Sequence, residues 1–218
     1  MGPPRLAAGL RAVKDVGGRR HDGVIALRTM AEPPEVTRDY FEILVARELR
    51  KAGLEVTDPR VHRRTELPEP ELGGFLLELL VWLRRNTWRK RALIACRRQV
   101  GAIGAEAINT LALHVTEAQA NVGLLFATSS FAPEALAAGD EKGIALLRLV
   151  DARTAFDAGG WGGGGAGGGP PGHYPAWLPA YLVQLVDRDV AGQARARLLE
   201  AGQANIILER LRAEGDVP

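Results

Sequence analysis

Phe75-Leu76-Leu77-Glu78-Leu79-Leu80-Val81-Trp82-Leu83, followed after a short polar stretch by Ala92-Leu93-Ile94-Ala95-Cys96-Arg97-Arg98, is the part of the chain whose reading decides the fold. The first run is apolar at odd and even positions alike. A strand covered on both faces reads this way, whereas a strand with one wet face alternates. Gly73-Gly74 before it and the basic stretch Arg84 to Arg91 after it bound it to strand length. Two such runs joined by a short polar segment predict a hairpin. One acid, Glu78, interrupts the first run. A carboxylate inside an apolar strand is costly unless it is paired or bound to a metal.

Outward from the hairpin, the pattern alternates helix and strand. Upstream, Phe41, Leu44, Val45 and Leu49 recur at helical spacing, with Thr37 as N-cap and Gly53 at the stop. Leu54 to Thr57 reads as a short strand. Downstream, Ala105, Ile108, Leu111, Ala112 and Val115 predict a helix, Val122 to Ala127 a strand and Pro133 to about Ala138 a short helix. In that reading Thr128-Ser129-Ser130 caps the short helix. Ile144 to Val150 then predicts a strand, and Asp151 caps a helix ending near Ala158. The order argues for an α/β fold, a mixed central sheet flanked by helices.

The ends read differently. Residues 1–36 carry Gly17-Gly18, Pro33-Pro34 and scattered arginines, and are expected to form a flexible arm, with only Val24 to Leu27 suited to a short strand. The domain proper is expected at 37–158. A glycine-dominated linker covers 159–173, and its glycines are no phosphate loop, because no Lys-Ser or Lys-Thr follows. A tail at 174–218 is expected to be helical. Its apolar stripe, Leu182, Leu185, Leu198, Ile206 and Leu211 among others, would dock on the core or pair two copies as a homodimer.

The net charge of the 218-residue chain is only +2. The positions of the charges say more. No acid lies between Leu79 and Ala105, while Arg84, Arg85, Arg89, Lys90, Arg91, Arg97 and Arg98 do. Such crowding is relieved by an anionic partner. The bland alternative is a solvated sheet edge kept from aggregating by its charge. A single cysteine, Cys96, excludes an internal disulfide and suits a reducing cytoplasm. No apolar run is long enough for a membrane helix. The four histidines show no metal-ligand spacing, and His114 reads as a structural residue at a helix end.

Between Arg38 and Ala158 the chain resembles the Mrr-like branch of the restriction endonuclease superfamily. The resemblance rests on an ordered set. Phe41-Glu42 with Leu49 and Gly53-Leu54-Glu55-Val56 matches the opening helix and strand. Ile94-Ala95-Cys96-Arg97-Arg98 matches the core strand. Gly123 to Phe131 with Pro133-Glu134-Ala135 matches the later strand, turn and helix, and Ile144-Ala145-Leu146 with Val150-Asp151 the last strand and helix start. The resemblance implies Mg²⁺-dependent phosphodiester hydrolysis in duplex DNA. Two carboxylates would hold the metal and a lysine two residues beyond the second acid would orient water, because the strand's period of two puts acid and lysine on one face. Glu78 falls at the first acid and Glu42 at a helix acid near the site, so these two are the implied metal ligands. Arg97 stands in the lysine's place as the implied catalytic cation. Ala95 stands where the second acid or glutamine belongs and cannot bind metal. Gln99 follows on the same face as Arg97. Arg84, Arg85, Arg89, Lys90, Arg91 and Arg98 are the implied DNA contacts. The alternatives are a non-catalytic DNA-binding or assembly module on the same scaffold, and a Glu78 that is simply paired with an arginine of the hairpin.

Overall fold

A computed structural model describes residues 36–67, 74–158, 176 and 178–211, all within the unit that begins at Glu32. The expected N-terminal arm, apart from Val36, and the glycine-rich linker lie outside the described residues. The elements run α1 (Arg38–Lys51), β1 (Glu55–Glu66), β2 (Phe75–Arg85), β3 (Trp88–Arg98), α2 (Ala105–Glu117), β4 (Val122–Ala127), α3 (Pro133–Lys142), β5 (Ile144–Asp151), α4 (Ala152–Ala158), β6 (Tyr181–Arg188), β7 (Ala194–Leu198) and α5 (Ala204–Leu208).

The seven strands form one sheet in chain order, β1 to β7. The first three are antiparallel neighbours, β3, β4 and β5 are parallel, and β6 and β7 continue antiparallel. The parallel steps are spanned by α2 and α3, as parallel strands require a crossover. One face of the sheet carries α1 and α5. There Phe41, Leu44 and Leu49 pack with Leu77, Leu79, Ile94, Cys96 and Leu124, and with Ile207 of α5. The other face carries α2 and α3, with Ile108, Leu111 and Leu136 over Leu93, Ala95, Leu125 and Leu146.

The local signals in the sequence explain most boundaries. Thr37 Oγ1 accepts from Tyr40 N, and Gly53 follows α1 with a left-handed φ of 97°. Gly139 sits where α3 meets β5, and a Cβ there would meet the Leu146 side chain at 2.9 Å. Asp151 Oδ1 accepts from Thr154 N at the start of α4.

Four expectations are corrected. The strands of the hairpin run through the basic stretch, so the turn is only Asn86-Thr87, with Asn86 at φ 53°. β1 extends to Glu66 across Pro59 and the charged run that follows, with register shifts between Thr57 and Arg60 and between Val61 and Arg63. Proline and bulges are tolerated there because β1 is an edge strand. The cap of α3 is Ala132, with no side-chain hydrogen bond, so Thr128-Ser129-Ser130 does not supply it. The C-terminal tail is not helical in the main. It adds β6 and β7 to the sheet and ends in the short α5. Leu182, Val183, Leu185, Leu199, Ile207 and Leu211 are buried within the chain, so the stripe expected to pair two copies is covered by the chain's own core. Among the described residues no helix is long and apolar enough to cross a membrane.

Candidate functional site

The hairpin register fixes the site. Leu76 pairs with Arg97 and Glu78 with Ala95, directly opposite each other in an antiparallel ladder. Directly opposed residues share a face, and a period of two keeps Leu76, Glu78, Ala95 and Arg97 together. That face looks toward α2. Glu78, Ala95, Arg97 and Gln99 line one cavity of about 230 Å³, together with Gly104, Ala107 and Leu111. The strands therefore present Glu78 and Arg97 on one face, from neighbouring strands. Arg97 Nε donates to Gln99 Oε1.

Glu78 is 1% exposed and already engaged. His114 of α2 holds its Nδ1 at 2.6 Å from Glu78 Oε1. The other ring nitrogen, Nε2, lies 2.6 Å from Arg63 Nη1. Arginine only donates, so Nε2 accepts and the imidazole proton sits on Nδ1, aimed at the carboxylate. Arg63 Nε also stands 3.7 Å from Glu78 Oε2, which has no hydrogen bond among the described residues. The arginine that pairs with Glu78 thus comes from β1 and not from the hairpin. His114 and Arg63 escaped the sequence reading because they lie far from Glu78 in the chain. The only trace was a histidine on the apolar side of an amphipathic helix.

Glu42 does not join this site. It lines a different cavity, with Val56, Leu79, Val81 and Ile94, on the α1 side of the sheet. Burial pushes the Cys96 thiol well above its ordinary range, and the charge of Glu42 adds to that, which places the acid beside the strand face opposite Ala95. The pair of carboxylates expected to hold Mg²⁺ is therefore split by the sheet itself.

The cations are also dispersed. Arg84, Arg85, Arg89, Lys90 and Arg91 surround the turn, at the far end of the strands from Arg97. Six residues of strand separate Arg84 from Glu78, about 20 Å at the usual rise. At the tip Arg84 Nε pairs with Glu55 at 3.0 Å, and the Arg89 guanidinium lies 4.4 Å from the Trp82 ring centroid. Strand alternation puts Arg98 on the face opposite Arg97. The basic tip and the Glu78 cavity are separate places.

The donor set does not fit a hard divalent cation. Such a cation takes several oxygens, ordinarily from more than one carboxylate. Here one oxygen of Glu78 faces an N–H, the other faces a guanidinium, and Ala95 offers none. Glu106 reaches only the rim of the cavity. No group of three His, Cys, Asp or Glu able to hold a metal occurs among the described residues.

Residues 34–154 match the family model for restriction endonucleases, in its Mrr-type catalytic form. No curated protein and no solved structure matches the chain. The match spans α1 through the start of α4, including the hairpin and α2, and leaves β6, β7 and α5 outside it. With more than half of the chain so matched, and a mixed sheet flanked by helices beneath it, the protein belongs to the Mrr-like restriction endonuclease family.

Proposed function

We propose that the chain is a DNA-binding module on a restriction endonuclease scaffold, one that has given up metal-dependent cleavage and works in the cytoplasm. The observation that carries this reading is the closure of Glu78. Its carboxylate is tied to His114 and faced by Arg63, and the residue opposite it is Ala95. Restriction endonucleases generally use Mg²⁺, and an acid already engaged by a histidine N–H and faced by a guanidinium leaves that ion no place. Duplex DNA is the substrate class of the family, and two cationic places remain to meet its backbone. One is the Arg97 end of the cavity. The other is the hairpin tip, where Arg85, Arg89 and Lys90 sit in a strand pair too narrow to bury them. Phosphate contacts of this kind give affinity without sequence readout.

The test uses supercoiled plasmid and a labelled duplex with the full-length chain. Binding that weakens steeply with salt, and no nicking in Mg²⁺ or Mn²⁺, is the expected result. Nicking that disappears in Glu78→Ala would overturn the loss of cleavage and restore the nuclease reading, with Glu78 and Arg97 as its catalytic pair. Charge reversal at Arg84, Arg85, Arg89 and Lys90 is expected to weaken duplex binding at least tenfold. An unchanged affinity would remove the tip from the interface.

A further inference from the structure

We propose that Arg148, with Arg97 two strands away, forms a seat for a phosphate-type oxyanion over Ala127, apart from the hairpin tip and sharing with the Glu78 cavity its Arg97 end. The register places it. Ala127 of β4 pairs with Arg97 on one side and with Arg148 on the other, so the three lie in one row across parallel strands. Ala127 packs with the α2–α3 cluster, as do Ala95 on β3 and Leu146 on β5, so by strand alternation Arg97 and Arg148 share that face. Strands two apart are about 10 Å apart, within reach of two arginine side chains converging over a methyl group. The row lies at the carboxyl ends of the parallel strands, where open α/β sheets bind ligands.

Arg148 is what makes the row a site. It is half-buried, and among the described residues it has no ion pair and no hydrogen bond, its Nε being enclosed without a partner. Burial alone pushes its guanidinium below the ordinary arginine range, and no carboxylate offsets this. The strand positions beside Arg148 on the same face, Ala127, Leu146 and Gln184, carry no acid, and Glu78 on that face lies three strands away, on β2. Thr128 and Ser129 follow Ala127 directly, and both hydroxyls are buried without a hydrogen bond among the described residues. A partly desolvated cation with spare donors and no counter-charge is a cost that an anion would remove. Arginine's planar fork suits phosphate.

The owner of the phosphate, a nucleic-acid strand, rests on the DNA-binding reading; the seat itself does not. The experiment follows the melting temperature of the full-length chain in rising inorganic phosphate, with chloride holding ionic strength constant. Wild type is expected to gain several degrees. Arg148→Met is expected to melt at or above wild type without phosphate, because it removes an uncompensated charge, and to gain nothing when phosphate is added. Arg148→Lys should recover part of the response. In parallel, Arg148→Met should weaken binding of a labelled duplex about tenfold and lower its salt slope by about one. An Arg148→Met protein that responds to phosphate like wild type, or that unfolds in its absence, overturns the seat. A wild type that binds no duplex yet keeps the Arg148-dependent phosphate response sinks the DNA reading and leaves the seat, now for a small phosphate-bearing ligand.

Discussion

Glu78 and Asp187 are both buried to 1% side-chain exposure, and their surroundings differ sharply. Asp187, on β6, accepts four hydrogen bonds at 2.7–2.9 Å from three arginines: two from Arg195 and one each from Arg197 and Arg210. Arg210 and Arg188 reach on to Asp140 of α3, so the network ties the C-terminal strands to the rest of the sheet. Glu78 has one hydrogen bond to a histidine, one oxygen with none, and a guanidinium standing off at 3.7 Å. The first carboxylate is solved by the protein. The second is solved only halfway. Buried polar groups satisfied in full rigidify a fold, and those left partly unsatisfied carry an uncompensated desolvation cost.

The comparison can be broken most forcefully at Asp187. Asp187→Ala should cost about 3 kcal/mol in chemical denaturation, the low end for breaking a buried pair, because the arginines left behind are partly solvated. A loss below about 1 kcal/mol would mean that the network is ornamental. The same carboxylate sets an acid limit. Burial pushes its pKa up, but the Arg195 hydrogen bond and the charges of Arg210, Arg197 and Arg195 outweigh burial and hold it below the ordinary range. A depressed folded value contributes stability above the unfolded pKa of about 3.9, and that contribution drains away as pH falls through the folded value. Wild type should therefore lose stability progressively below about pH 4, and Asp187→Asn should lack that component of the decline in urea titrations at stepped pH.

At Glu78 the expected effects are smaller. Glu78→Gln keeps an acceptor for His114 and relieves a half-satisfied charge, so its stability should stay within about 1 kcal/mol of wild type. A penalty as large as that of Asp187→Ala would erase the distinction between the two acids. Smallest is Cys96. Its thiol, raised by burial, should ignore a thiol reagent in the native state and react fully in denaturant. Native reactivity would show that the α1 side of the hairpin opens.

What the sequence made legible is what is local. The apolar runs of β2, β3, β4 and β5 and the stripes of α1 and α2 fall where pattern puts them, because each is written within a dozen residues. β6 defeated the pattern. Leu182, Leu185 and Val186 have helical spacing, but Tyr181 to Arg188 is covered on both faces as β6, and a strand of that kind shows no alternation. β1 was missed beyond Thr57 because an exposed edge strand needs no apolar residues. At the site, the register that sets Glu78 opposite Ala95 was not legible, and only the shared face of Ala95 and Arg97 followed from a period of two. The partners of Glu78 did not. Arg63 and His114 reach it through strand pairing and helix packing across the fold, and nothing in their own neighbourhoods points to it. Glu42 was misplaced for the same reason, since no sequence pattern says on which side of a sheet a flanking helix lies.

The sheet keeps its strands in the order of the chain. Each strand therefore finds its partner in the segment just made or just about to be made, and no ladder waits for a distant stretch to arrive. Assembly can begin at the two-residue turn of the β2–β3 hairpin and spread outward by nearest-neighbour additions, with little loop-closure entropy spent at each step. A segment inserted between two such neighbours, as the glycine-rich one lies between β5 and β6, lengthens a single closure, and doubling its length adds only about 0.6 kcal/mol.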